Sequence, residues 1–259
     1  MTRPLSELRG PVRALFTDVD GTMTTGDRVE ASTYDALEKL GEAGIPSVMV
    51  TGRSAGFAHA FMRMTPVLAV VSENGGVTFV REGRKILKIY GVPAATLPEW
   101  RRRMNDAAVE VVTKIPGARL STDSKYREVD LAIDWNEECS LSKEDADHAT
   151  RILAKAGFLA TRSSVHVNFG PPHFDKLSAC MTVVRQVLGG DANDLSPYVF
   201  VGDALNDSPM FGGFPKSVGV ANVRHWWDEL QFKPAYLTEL PEGAGLRELI
   251  AHLRTLAKK

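Results

Sequence analysis

The chain has 259 residues, 24% of them charged, with a formal net charge of −1. That balance leaves no basic face for nucleic acid, and the longest apolar runs, such as VLAVV at 67–71, fall far short of the roughly 20 residues of a membrane span. Cys139 and Cys180 are the only cysteines, without C-x-x-C spacing, and MTRPLSELRG at the start has no apolar signal core, so free thiols and a cytoplasmic location are expected.

The first 80 residues alternate short apolar runs with helical patterns. VRALF at 12–16 reads as a strand. Residues 32–43 follow as a helix with Tyr34, Leu37 and Leu40 on one face, and Ser32 with Asp35 reads as a capping box. IPSVMV at 45–50 is a second strand, 54–64 a second helix and VLAVV a third strand. Strands separated by helices of this length predict a parallel sheet with right-handed crossovers. SENGGVTFVREGRK then breaks the pattern, with a turn at Asn74-Gly75-Gly76 and a short hairpin from Val77.

From 84 to 169 the style changes. Thr96 and Glu99 read as a capping box, and Trp100, Met104, Ala107, Val111 and Ile115 continue one helical face. EVDLAIDW at 128–135 alternates strictly, as a half-solvated antiparallel strand does. Ser142 and Asp145 cap another helix, and VHVNF at 165–169 is one more alternating strand. After GPPHFDK the first style returns: a helix over 174–188, the strand YVFVG at 198–202, then DALNDSPMF. The expected architecture is an α/β, Rossmann-like doubly wound core built from 1–83 and 170–259, interrupted by an inserted α+β cap at 84–169. Glycine-containing linkers are expected near 81–84 and 169–172.

In an open parallel sheet, ligands bind outside the carboxyl ends of the strands. Three strands end there in polar groups: Phe16 runs into Asp18 and Asp20, Val50 into Thr51, and Val201 into Gly202-Asp203. Asp18 and Asp20 lie two positions apart and point the same way, so they repel unless a cation neutralises them, one takes a proton, or both are solvated. Asp203 and Asp207 complete a candidate carboxylate cage, whose all-oxygen character suits Mg2+ better than zinc. In that setting Asp18 is a candidate nucleophile for phosphoryl transfer, Asp20 a candidate acid and base, and Lys176 a positive charge for the transferring group. No G-x-x-x-x-G-K-[ST] loop points to a kinase or GTPase.

Taken in order, DVDGT (18–22), TGR (51–53), Lys176 and GDALND (202–207) resemble the four motifs of the haloacid dehalogenase superfamily of phosphatases. The insertion between the second and third motifs, with SENGG at 72–76, resembles the subfamily with a large α/β cap, which includes Cof-like, sucrose-phosphate and mannosyl-3-phosphoglycerate phosphatases. The resemblance implies Asp18 as nucleophile, Asp20 as acid and base with its backbone carbonyl on Mg2+, Asp203 as a further metal ligand and Asp207 supporting the metal from outside its ligand set. It implies phosphate contacts from Thr51, Gly52, Arg53, Asn206 and Lys176. The implied activity is Mg2+-dependent phosphomonoester hydrolysis through an aspartyl-phosphate, on a small phosphorylated sugar or sugar acid, by a monomer or homodimer. The alternatives are a phosphomutase of the same superfamily and a non-catalytic ligand-binding relative.

The leaving group is expected to be read from the cap side. Glu73 and Asn74 at the core edge, and Lys125, Arg127, His166 and Asn168 from the cap, are the candidates. For His166 and Asn168 the competing reading is a solvated strand face, and for Lys125 and Arg127 a solvated loop. Arg101, Arg102 and Arg103 read as a solvated helix face, and Trp226 and Trp227 as packing residues.

Overall fold

The computed structural model describes residues 2–163 and 165–257. Its strands are β1 (Arg3–Pro4), β2 (Ala14–Thr17), β3 (Ser47–Val50), β4 (Ala69–Ser72), β5 (Val77–Glu82), β6 (Lys85–Tyr90), β7 (Arg119–Leu120), β8 (Leu131–Asp134), β9 (Leu159–Arg162), β10 (His166–Gly170), β11 (Tyr198–Gly202), β12 (Lys216–Gly219) and β13 (Tyr236–Leu237). Its helices are α1 (Ala31–Glu42), α2 (Ala55–Met64), α3 (Leu97–Lys114), α4 (Lys143–Lys155), α5 (Lys176–Gln186), α6 (Ser208–Gly213) and α7 (Glu242–Ala257).

Nine strands form one sheet in the order β1-β13-β12-β11-β2-β3-β4-β5-β6, parallel as far as β4 and antiparallel across the β4-β5-β6 edge. Along β2, β3 and β11 every side chain is buried, as expected of strands covered on both faces. Successive residues of β2 enter opposite layers. Leu15 belongs to the apolar cluster that holds Leu37 and Leu40 of α1, Met62 of α2 and Leu249 of α7, while Phe16 belongs to the one that holds Cys180 and Val183 of α5 and Met210 of α6. This is the doubly wound α/β core that the sequence predicts. β2 sits between β11 and β3, with Phe16 opposite both Phe200 and Val48, so the ends of these three strands share one edge.

β7-β8-β10-β9 form a separate antiparallel sheet under α3 and α4. Met104, Val111, Ile152, Ile133, Val167 and Phe169 make its own apolar cluster. Two expectations change here. Residues 85–90 were expected in the inserted unit, yet they pair along all of β5, so 82–85 is a hairpin turn and the chain leaves the large sheet only after Tyr90. β8 and β10 were expected to be solvated on one face, yet both are buried throughout, because their polar face lies over the edge of the large sheet.

Capping follows sequence at one of three predicted boxes. Ser142 and Asp145 form theirs at α4. Ser32 lies inside α1, which starts after Glu30, and Thr96 bonds Pro93 O instead of the helix while Glu99 pairs with Arg102. Cys139 and Cys180 are free thiols, and no helix among the described residues is long and apolar enough to cross a membrane.

Candidate active site

At the carboxyl edge of the large sheet, four separate chain segments converge. β2 delivers Asp18, whose N–H donates to Val201 O of β11 at 2.9 Å and so fixes the two strand ends together. The next turn contains Gly21 at φ 75°, a left-handed conformation that a side chain strains. A Cβ there would lie 2.4 Å from Asp203 Oδ2, so this glycine also lets the two acidic loops approach.

Asp175 caps α5 by accepting from Ser178 N at 2.8 Å, and this sets Lys176 in the first turn with its side chain over the strand ends. Its Nζ lies 3.0 Å from Asp18 Oδ1 and 2.8 Å from Asp207 Oδ1, and all three residues are almost fully enclosed (5%, 6% and 0% exposed). Asp207 Oδ2 accepts from the N–H groups of Asp203 and Ala204. Asp203 accepts from Thr22 Oγ1 at 3.0 Å and Asn222 Nδ2 at 2.9 Å. Oxygens of Asp18, Asp203 and Asp207 lie within 4.8 Å of one another.

Burial is the main cause that raises the Asp18 carboxyl well above the usual range, with the Asp207 charge next. Burial and then Asp207 push Asp203 up to about 8. Burial alone would lower the Lys176 ammonium, but its contacts with Asp18 and Asp207 outweigh that and raise it. The three carboxylates therefore hold more negative charge than one lysine balances. A small hard cation fits this all-oxygen set.

Asp20 turns away from the cluster. Arg53 Nε and Nη2 grip its carboxylate at 2.9–3.1 Å, while Arg53 Nη1 donates to Glu137 Oε1 at 2.6 Å. The Thr51 hydroxyl is buried and accepts from Arg53 N at 3.0 Å. Gly52, Arg53 and Asn206 line, with Asp18 and Asp20, a cavity of about 20 Å3, closed from the other side by His166 and Asn168. That volume holds about one water and no phosphoryl group, so the two sheets stand closed on each other.

The residues expected to read the leaving group separate into three kinds. His166 and Asn168 are buried (3% each) and face the cavity, which removes the solvated reading. Arg127 is buried too, but spent on protein partners: Asp123, Asp130 Oδ1 at 2.8 Å and Gly52 O at 3.0 Å. Asn74 donates to Asp130 Oδ2 at 3.3 Å, and burial is the main cause that brings the Asp130 carboxyl up to about 7. Lys125 is exposed, its ammonium over the Tyr126 ring. Glu73 is fully buried, and its carboxylate accepts from four backbone N–H groups, of Ala55, Glu128, Val129 and Asp130. Glu73 thus ties the start of α2 to the irregular segment that leads into β8.

Sequence reasoning missed Asn222, Thr22 and Glu137. Asn222 follows the end of β12 on the same sheet edge, so the strand-end rule that found Asp203 would have found it. Thr22 stood inside a quoted motif without a partner to assign. Glu137 sits in a turn with no motif to mark it.

Residues 15–114 match the family described as haloacid dehalogenase-like hydrolase. A protein of Methanothermobacter thermautotrophicus named phosphoglycolate phosphatase is 39% identical over 245 residues, covering 92% of this chain and 97% of that one. The crystal structure of Thermoplasma acidophilum 0175 superposes with a TM-score of 0.74 at 19% identity, over 94% of this chain and 99% of that one. The sucrose-phosphatase of Synechocystis sp. PCC6803 superposes with a TM-score of 0.68 at 16% identity, over 94% and 98%.

Proposed function

The chain belongs to the haloacid dehalogenase-like hydrolases, as a phosphatase of the type with an α/β cap, and from that membership we propose a Mg2+-dependent monoester hydrolase acting through an aspartyl-phosphate on Asp18. The observation that carries this reading is the buried Lys176 ammonium bridging Asp18 and Asp207 beside Asp203, because no structural need explains one lysine enclosed with three carboxylates. Asp18 and Asp203, with the backbone carbonyl of Asp20, would hold the metal, and Asp207 supports them from behind with both oxygens already engaged. When bound, Mg2+ supplies positive charge to the carboxylates and to the phosphoryl oxygens.

The remaining steps belong to the chain. Asp18 attacks phosphorus while Lys176, the Thr51 hydroxyl, Gly52 and Asn206 hold the phosphoryl oxygens, and Arg53, paired with Asp20, faces the leaving group. Asp20 gives a proton to the departing oxygen, then takes one from the water that cleaves the aspartyl-phosphate. Residues 97–170 act as a cap whose movement admits the ester and whose closure excludes bulk water, with His166 and Asn168 facing the leaving group. The substrate is then a small phosphorylated sugar acid or hydroxy acid, a reading that the relatives named phosphoglycolate phosphatase support.

Release of phosphate from p-nitrophenyl phosphate tests the reading. It should require Mg2+, stop with excess chelator, and fall by several orders of magnitude in Asp18→Asn with the fold intact. Full turnover in chelator would remove the metal, and near-normal turnover in Asp18→Asn would remove the covalent route.

A further inference from the structure

Glu137 has no place in the chemistry above, yet it occupies a cradle built from both sheets. One carboxylate oxygen takes Arg53 Nη1 of the core at 2.6 Å, and the other lies 2.7 Å from Nε2 of the buried His166. The turn that carries it is fixed, since Asp134 accepts from Glu137 N at 2.9 Å and Glu138 N at 3.0 Å. His166 and then Arg53 hold the Glu137 carboxyl down at about 2, so it is an anion at neutral pH.

The position of this bridge gives it a further role. Asp20, Arg53 and Val165 line both the closed inner cavity and an outer one of about 420 Å3. His166 faces the inner cavity and Glu137 the outer, so the bridge stands on the partition between them. It also stands on the side of Asp20, where the alcohol departs.

We propose that Glu137 is a resident competitor for a carboxylate on the substrate: an ester whose leaving group carries a carboxylate near the ester oxygen displaces it from Arg53 and His166, whereas an ester without one leaves the bridge in place. The proposal rests on the phosphatase reading and deepens it, making Glu137 a specificity-determining residue. A charged rival inside the chain raises the concentration of acid substrate needed, while an ester that leaves the bridge closed does not meet it.

The test compares Glu137→Gln with the unaltered enzyme, both with Mg2+, on 2-phosphoglycolate and on phenyl phosphate, with KM and kcat measured separately. The amide keeps the shape but no longer competes as an anion. The expected result is a KM for 2-phosphoglycolate lowered about tenfold, and an inhibition constant for free glycolate lowered with it. A second variant, His166→Gln, removes half of the cradle and should raise KM for 2-phosphoglycolate more than for phenyl phosphate. A KM unchanged for 2-phosphoglycolate, equal KM shifts for the two esters, or a kcat lowered alike for both would reduce Glu137 to a structural tie and overturn the proposal, as would refusal of 2-phosphoglycolate by an enzyme that cleaves phenyl phosphate. If the unaltered enzyme cleaves neither ester, the phosphatase reading itself fails, and the role given to Glu137 fails with it.

Discussion

Replacing Glu73 by glutamine separates a structural carboxylate from a substrate-binding one. Glu73 Oε1 accepts from Ala55 N and Glu128 N, each at 2.8 Å, and Oε2 from Val129 N at 2.6 Å and Asp130 N at 3.0 Å, with the residue wholly buried. The amide oxygen keeps one pair of these bonds. The NH2 group that replaces the other oxygen presents hydrogens to two backbone donors that no water reaches. A hydrogen bond to a charged acceptor contributes about 1.5–3 kcal/mol, so two lost bonds cost about 3–6 kcal/mol. For a chain of this size that lowers Tm by roughly 6–24 °C. Thermal unfolding followed by circular dichroism measures the shift, and KM measured well below the new Tm should stay within about twofold, because no atom of Glu73 faces the cavity. A loss under about 1 kcal/mol, or normal stability with a raised KM, would refute the structural assignment.

Two further outcomes follow from the acidic cluster. Asp203 has its carboxyl raised to about 8 and Asp18 is raised in the same direction, so the metal-free fold binds protons that the unfolded chain, near pKa 4, has already lost. The contribution of these groups to stability is then fully present below about pH 4 and is lost as pH rises toward 8, where a bound cation would replace the protons. The rise in Tm on adding Mg2+ should grow from pH 5 to pH 8, and an equal rise at both would refute it. Gly21→Ala places a Cβ 2.4 Å from Asp203 Oδ2 at φ 75°. About 1–3 kcal/mol of stability and at least a tenfold loss in Mg2+ affinity are expected, read by urea unfolding and by metal titration of activity.

The sheet edge was legible because its signals are local and physical. Runs such as YVFVG are apolar at every position, which only a strand covered on both faces tolerates, and each run ends in the acid or hydroxyl that its own backbone carries to the edge. The cap face was not legible for an equally physical reason. Alternation in LAID and HVNF separates a polar face from an apolar one, but it does not say whether water or another polar surface meets the polar face. Here the core meets it, so His166 and Asn168 are buried and Arg127 is consumed by Asp123, Asp130 and Gly52 O. Glu73 shows the same limit. A glutamate beside a turn looks identical whether its carboxylate will reach a ligand or four N–H groups from segments 18 and 55–57 residues away.

The repulsion between Asp18 and Asp20 resolves once their partners are assigned. Asp20 leans out to Arg53, and Asp207 is balanced by Lys176 and two backbone N–H groups. Lys176 also touches Asp18, but one ammonium shared by two carboxylates neutralises only one charge. Among the described residues, Asp203 accepts hydrogen bonds from the neutral donors Thr22 and Asn222 alone. Asp18 and Asp203 are therefore the pair left under-compensated, and burial drives both of their carboxyls upward. A divalent cation held by these two carboxylates would remove both penalties and would leave the Asp20 side chain free of the metal. Asp20 must keep that freedom if it is to give up a proton and take one back within each turnover.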